Sequence, residues 1–519
     1  MNYRYPDFLN RQPVPSPSLA SQFQKRALGK SLESNWDRVK VLGDNKDYGH
    51  AGCVNALHWA RDGEILLSAG DDRTVQIWRM DPTDISDDYP FMCKTVINTG
   101  HRANIFNTAM LPYSSRIATV AGDRQVRVFD VGQDHGNSAI GRNAQEYCTV
   151  HAKTHILKCH EDRVKRIATE ESPDRFLTVS EDGTVRQHDL RVPHSCRSGC
   201  PAPLLQLSHE LSALATSSFY CVVAGDSPYG YLFDRRFTGR DLQDERGSKA
   251  EGLTTCVRRF GRPNSRTGSR SYHEHITGAR MSSENGHEVL LSYSADGVYL
   301  FSTLDDPETP SSSSIITQNS KRRRVSEEPE QASSSMSSEN SMEIDDLMLQ
   351  PETEESEEAE PDEEPHEFRP WVPVIRPQRR YAGARNVDTV KDVNFLGPHD
   401  EYVTSGSDDG NFFVWRKSTG SLHGVYEGDA SVVNVIEGHP KLPLVAVSGI
   451  DHTVKLFAPV TRESVFSRMS IADSIMKGNL QHRNLRTIPR LDFITLLASV
   501  RASTQDEFDA NTTSDCINQ

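Results

Sequence analysis

Nowhere in this 519-residue sequence do apolar side chains run together for the roughly 18 positions a membrane-crossing helix needs. The opening MNYRYPDFLNRQP has no apolar signal-peptide core. These absences predict a soluble, intracellular chain with no membrane partner. Cysteine is sparse and odd in number: nine scattered residues fit reduced thiols better than a disulfide framework. Net positive charge is missing too, but the formal −15 is a local property. Residues 325–367 hold 17 acidic and no basic side chains, so the −15 of the whole chain becomes +2 outside that block. Neither a basic nucleic-acid surface nor an acidic globular body follows, and no direct nucleic-acid contact is expected. There is no GxxxxGK[ST] phosphate loop, no GxSxG elbow and no HExxH metal helix. The expectation is therefore a protein that is not an enzyme, with no catalytic residue and no cofactor.

What is present is a repeated unit, seen most completely between Cys159 and Arg191. An alternating apolar run (Phe176, Leu177, Val179) meets a Glu-Asp-Gly turn, a second run (Val185, Gln187) follows, and the unit closes on His188-Asp189-Leu190-Arg191. Two short strands and a tight turn make a hairpin. An Asp followed six residues later by a large ring recurs at Asp72 and Trp78, Asp123 and Phe129, Asp182 and His188, Asp409 and Trp415, and Asp451 and Phe457. Looser copies join Asp226 to Phe233 and Asp296 to Phe301, which makes seven. The rings are mostly about 40 to 60 residues apart, the period of a four-stranded propeller blade.

With Gly49-His50 and Gly100-His101 upstream, the pattern resembles a WD-repeat propeller. In that family a His, a strand Ser or Thr, the turn Asp and the ring tie each blade together. The resemblance assigns this part to His50, Ser68, Asp72 and Trp78 in the first blade, to His101 and Asp123 in the second, to Asp182 in the third, and to Asp409, Trp415 and Asp451 in the last two. Cys159 precedes His160, and Gly428-Asp429 stands where GlyHis would be. The fold class expected is all-β, a seven-bladed WD-repeat β-propeller with short N- and C-terminal helices and a disordered acidic insert.

The chain divides accordingly. Residues 1–45 form an N-terminal arm. Within it LASQFQKRALGKSL makes a modest apolar stripe (Leu19, Phe23, Ala27, with Leu28 and Leu32), a helix docked either on its own propeller or on a partner. NWDRVKVL (35–42) is a strand expected to complete the blade ending at Phe457, removing exposed edges. Blades one to five fall in 46–302, at 46–80, 98–131, 156–191, 205–236 and 272–302, with a mobile or irregular excursion in 237–271. Residues 303–370 are Ser- and Glu-rich and cannot bury enough apolar surface to offset their ordering entropy, so they form the insert. Blades six and seven take 371–458, at 381–416 and 422–458. A helical extension (459–503, RESVFSRMSIADSIMKG and TIPRLDFITLLASVRAS) packs on the propeller, and 504–519 is a flexible tail.

Other candidate sites are weaker. His194, Cys196 and Cys200 lie in PHSCRSGCPAP, and Cys159 with His160 are further donors of the kind zinc accepts. Three irregularly spaced loop ligands are a poor signal beside paired CxxC motifs, so no metal is expected. Lys321, Arg322, Arg323 and Arg324 form a basic cluster accessible to a nuclear import receptor, predicting a nuclear as well as a cytoplasmic pool. Ser326 and Ser356 each precede two glutamates, a context for acid-directed phosphorylation, and MEIDDLML (342–349) mixes acids with apolar residues as short partner motifs do.

The sharper signal is at the exits of blades three and four. Both end in aromatic-Asp-x-Arg: His188-Asp189-Leu190-Arg191 and Phe233-Asp234-Arg235-Arg236. No other blade does so, and paired arginines on adjacent blades suit a protein interface better than simple pairing with a neighbouring Asp. This box resembles the one by which WD-repeat substrate receptors dock on the propeller adaptor of cullin-4 RING ubiquitin ligases. GHAGCVNALHWARDGEILLSAGDDRTVQIW, KDVNFLGPHDEYVTSGSDDGNFFVW and VVNVIEGHPKLPLVAVSGIDHTVKLFAP extend the resemblance to the cullin-4-associated factors, in the subgroup with an acidic insert before the penultimate blade. His188 and Phe233 stand where the family has Trp, and each keeps a ring. The resemblance implies adaptor binding by His188, Asp189, Arg191, Phe233, Asp234 and Arg236. The function implied is a non-catalytic receptor presenting an unknown protein substrate for ubiquitination. The alternative is a nuclear scaffold that binds histones or transcription regulators through the propeller face and acidic insert.

Overall fold

A computed structural model describes residues 19–44, 48–132 (except 82 and 86), 138–140, 144–147, 153–236 (except 194, 197 and 198), 256–262, 275–306 and 372–485 (except 373). Its strands form seven sheets, each built on four antiparallel strands, and the molecule is a seven-bladed β-propeller. Blade one shows the pattern: Val54–Ala60, Ile65–Gly70, Thr74–Met80 and Phe91–Asn98, running from the centre outwards. The second strand of a blade is sandwiched on both faces, so Ile65–Gly70 is buried throughout, as are Val445–Gly449 and Tyr402–Gly406. The first strand begins with a bulge in six of the seven blades, as between Val54 and Ala56 or Val164 and Arg166. A bulge increases the local twist, and here it recurs at one level of the propeller.

The seven rings at the ends of the third strands (Trp78, Phe129, His188, Phe233, Phe301, Trp415 and Phe457) are all buried. Closure is by the N-terminal strand: Trp36–Leu42 pairs antiparallel with Val454–Pro459, with Arg38 opposite Phe457. The last blade therefore takes one strand from the start of the chain and three from its end.

The blade boundaries shift from those read in the sequence. In blades three, four and five the outer strand lies beyond the ring and has only two or three residues, too short to show an alternating pattern. Leu205–Gln206 completes blade three and Leu422–Glu427 completes blade six, although the sequence assigned both to the blades that follow. The excursion expected at 237–271 includes Arg258–Phe260, the outer strand of blade four. The larger correction concerns blade five, Ile276–Met281, Glu288–Tyr293 and Val298–Ser302. Its outer strand is Arg379–Tyr381, on the far side of the acidic block, so the block interrupts a blade rather than separating two. On the way, Val374–Ile375 runs parallel to the outer strand of blade four. The body of the insert, with Lys321, Arg322, Arg323 and Arg324, the helix expected over 487–503 and the tail lie outside the described residues.

Two helices dress opposite faces of blade six. Helix α1 (Leu19–Leu32) buries Leu28 and Leu32 against Tyr402, Tyr426 and Phe457. Its last carbonyl, on Leu32, accepts from the Trp36 indole at 3.1 Å and lies 3.1 Å from His423 Nε2, satisfying a group that a helix C-terminus leaves open. Helix α2 (Ala472–Leu485) follows a single 3-10 turn at Met469–Ile471; residues 462–468, expected to be helical, are not. Asn479 ties α2 to the propeller, donating to the Gly383 carbonyl at 2.9 Å and to Asp409 at 2.7 Å.

Candidate functional site

The propeller has two faces with different chemistry. On the upper face lie the turns between second and third strands and the connections between blades. The turn aspartates sit here, and the first three blades share one hydrogen-bonded chain. In blade one, His50 Nδ1 meets Asp72 at 2.8 Å, His50 Nε2 meets Ser68 Oγ at 2.7 Å, and the Trp78 indole donates to the same Oγ at 2.8 Å. In blade two, His101 lies 3.0 Å from Asp123 and 2.9 Å from Thr119 Oγ1. In blade three, His160 Nδ1 lies 2.9 Å from Asp182, His160 Nε2 2.8 Å from Thr178 Oγ1, and Thr178 Oγ1 2.8 Å from His188 Nε2. Burial pushes the Asp182 carboxyl up, but hydrogen bonds from His160 and Thr184 outweigh it and hold the group below the usual carboxylate range.

Blades six and seven use buried lysines instead. Lys391, fully buried, pairs with Asp408 and donates to the Thr389 carbonyl at 2.9 Å. The aspartate in the buried network is thus Asp408, one residue before the Asp409 picked from the spacing; Asp409 accepts from the Asn411 backbone and Asn479 instead. Trp415 donates to the Ala382 carbonyl at 3.2 Å rather than to a strand hydroxyl. Asp429, which replaces the GlyHis histidine, is 3.1 Å from Lys455 Nζ, and Lys455 also pairs with Asp451. A buried cation between carboxylates fills the space that a His–Asp pair fills elsewhere.

The lower face gathers the turns between first and second strands and the exits of the third strands. Asp189 pairs across its hairpin with Arg175, and Asp234 with Tyr220, so Arg191 and Arg236 leave their blades at this face. Each arginine is clamped by its own aspartate. Arg191 donates to Asp189 through Nε at 2.9 Å and Nη2 at 2.6 Å, and Arg236 to Asp234 at 2.9 Å and 2.5 Å. The guanidinium hydrogen bond holds the Asp189 carboxyl at about 2, and Arg236 holds Asp234 below its usual range in the same way. Both side chains stay more than half exposed, 62% and 51%. Arg236 also lies over the Phe219 ring, 4.7 Å from its centroid.

Blades two, three and four are stitched together around these residues. Arg116 reaches Asp174 at 2.7 Å, and Arg235 pairs with Glu170, which also meets Arg175 at 3.4 Å. Exposed apolar groups stand beside the charges at the tips of the turns: Tyr113 (89% exposed) in blade two and Phe219 (55%) in blade four, with Val192 after Arg191 and Leu304 at the exit of blade five. Helix α1 lies on this face, since Lys25 pairs with Glu284 in the blade-five turn at 3.0 Å and Gly29 rests on Pro398 and Glu401 in blade six. Phe23, which the sequence placed on the apolar stripe, is 69% exposed. His188 and Phe233 do not reach the surface; both are core rings beneath the arginines.

The model of the WD domain, G-beta repeat, matches residues 43–79 and 152–189, which are the first two-thirds of blade one and most of blade three. The chain is a seven-bladed propeller that carries WD40 repeats. The relatives of this repeat protein include WD repeat protein iqw1 of Schizosaccharomyces pombe, 32% identical over 276 residues, covering 50% of this chain and 32% of that protein. DDB1- and CUL4-associated factor 6 of Homo sapiens is 30% identical over 279 residues, covering 51% of this chain and 29% of that protein. WD and tetratricopeptide repeats protein 1 of Mus musculus is 24% identical across 89% of this chain and 92% of that protein. The match spans about a third of the length of the first two relatives.

Among the described cysteines, Cys159, Cys196 and Cys200 come together, three of the donors that the sequence offered. His194 lies outside the described residues. His160 is not available to them, because both its ring nitrogens are engaged in the blade-three chain. Burial pushes the Cys159 thiol up, and the neighbouring thiols of Cys200 and Cys196 add to the shift.

Proposed function

We propose that this chain is a non-catalytic substrate receptor of a cullin-4 RING ubiquitin ligase, docking on the ligase adaptor by its lower face and presenting a target held elsewhere on the propeller. The observation that carries this reading is the pair of guanidinium groups on adjacent blades, each fixed by two hydrogen bonds to its own aspartate and exposed on one face. Fixing the fork before contact reduces the side-chain entropy lost on binding, and Arg beside exposed aromatic groups is the composition of interface hot spots. The similarity to a protein named for association with DDB1 and CUL4 supports the same reading. Helix α1, with Phe23 outward on that face, widens the docking surface. A receptor of this kind accelerates transfer by proximity alone, with no chemistry of its own. The Lys321–Arg324 cluster is proposed to give the protein its nuclear pool.

The test is adaptor binding by purified Arg191→Ala/Arg236→Ala protein alongside its melting curve. Each truncation is expected to cost about 2 kcal/mol or more, roughly 30-fold in affinity. Stability should change little, because water screens exposed ion pairs and offsets most of their attraction. Parental adaptor affinity in the double variant removes the docking assignment. Capture of histones or transcription regulators by the parent protein, without adaptor, favours the scaffold reading instead.

A further inference from the structure

The connection that leaves blade three at Arg191 does not run directly to the outer strand. It turns past the junction of blades two and three, carrying Cys196 and Cys200, and meets Cys159, which sits between the outer strand of blade two (Lys153–Leu157) and His160. The three sulfurs lie within 4.8 Å of one another, and Cys159 Sγ is 3.8 Å from Cys196 Sγ. Two thiolates on a tetrahedral zinc, each about 2.3 Å from the metal, are separated by about 3.8 Å. A disulfide would need about 2.05 Å.

We propose that Cys159, Cys196 and Cys200 are three thiolate ligands of a structural zinc ion, which ties the loop after Arg191 to the exit of blade two. The surroundings suit a thiolate site. The Lys158 backbone N–H donates to Cys196 Sγ at 3.3 Å, an outer hydrogen bond of the kind that stabilises a metal-bound sulfur. Cys159 is buried beside Leu157, Val164 and Phe176, with Leu190 packed against the same cluster. An all-sulfur donor set selects zinc over magnesium or calcium, which prefer oxygen. His160 takes no part, since Asp182 and Thr178 hold its two nitrogens, and a closed structural site takes its fourth ligand from another donor of the chain. Binding releases the three thiol protons to solvent and involves no redox step. The site stands whether or not the lower face docks an adaptor, because its ligands are not the docking residues.

The full chain, expressed with zinc in the medium and purified without chelator, should hold one zinc per molecule by elemental mass spectrometry. Cobalt(II) in its place should give thiolate-to-metal charge-transfer absorption in the near ultraviolet. Cys196→Ser/Cys200→Ser should lose the metal at least about tenfold while keeping the parental far-ultraviolet circular dichroism, because the loop closes no blade. Cys53→Ser, elsewhere in the fold, should keep it. Should the double variant fail to fold, Cys200→His retains a ligand and should bind cobalt with roughly a third less charge-transfer intensity. Three results overturn the proposal: no zinc and no cobalt absorption in the parent, undiminished zinc in the double variant or undiminished charge transfer in Cys200→His, or a Cys159–Cys196 disulfide in the parent protein as isolated.

Discussion

His188 Nε2 lies 2.8 Å from Thr178 Oγ1, the position from which the Trp78 indole reaches Ser68 in blade one. The proton order follows from the far end. Asp182 can only accept, so His160 carries its proton on Nδ1, accepts from Thr178 at Nε2, and leaves Thr178 to accept from His188. An imidazole thus replaces an indole as donor in a buried chain.

His188→Phe keeps the ring and removes that donor. It should lower the denaturation free energy by about 1 kcal/mol, the usual net worth of one hydrogen bond. His188→Ala should cost more, since it also leaves a cavity against Phe176, whose ring centroid is 5.0 Å away. Measured by chemical denaturation, equal losses in the two variants would mean that only the hydrogen bond matters, and no loss in His188→Phe that only packing does.

Lys391 and Asp408 are both fully buried side chains. Asp408 also accepts from the backbone N–H groups of Val387 at 2.6 Å and Asp388 at 2.9 Å, contacts that hold it in place when its cation is removed. Lys391→Met should therefore destabilise by about 3 to 5 kcal/mol, the cost of an uncompensated buried charge. A midpoint within experimental error of the parent would show that water enters the site.

His439 is fixed as a neutral imidazole. Its Nδ1 accepts from the backbone N–H groups of Lys441 and Leu442 at 3.0 and 2.9 Å, while Nε2 donates to the Gly63 carbonyl at 3.1 Å. Gly63, at φ +95, lies so close that a Cβ there would sit 2.1 Å from the ring. Burial lowers the pKa from 6.5 to about 4, with Lys441 adding to the shift. The unfolded chain then takes up the proton first. This contribution to stability is complete above about 6.5 and is lost as pH falls towards about 4. Melting curves of His439→Gln should show a shallower acid loss across that window than the parent; an identical slope would assign it to other groups, such as the half-buried His58, whose pKa is also lowered to about 4.

The acidic block should be replaceable. Gln378 donates to Asp305 at 3.0 and 2.9 Å, and its backbone N–H reaches the Leu300 carbonyl at 2.8 Å, so the chain leaves and rejoins blade five at adjacent points. Exchanging residues 311–366 for a short Gly-Ser linker changes closure entropy by about 1 kcal/mol at most. The melting midpoint should stay within a few degrees. A fall beyond about 10 °C would show that the block packs on the fold.

Sequence by itself determined the parts whose signal is local. Asp and ring six residues apart, set in alternating apolar runs, mark a buried hairpin whatever surrounds it, and all seven rings are buried. The strand before the first GlyHis pairs with the strand ending at Phe457 because an unpaired edge has to be covered. The arginines were legible as a motif, since the Asp two residues before each can reach it along one chain. Only the tertiary structure decided the rest. Outer strands of two or three residues carry no period, and Arg379–Tyr381 joins Val298–Ser302 only because the propeller brings the two ends of the block together. Asp408 rather than Asp409 enters the core because the fold turns it towards Lys391. Cys159 and Cys196 are 37 residues apart and meet because blade three packs beside blade two. Contacts of that kind are set by how the blades pack around the ring, which no local pattern of residues records.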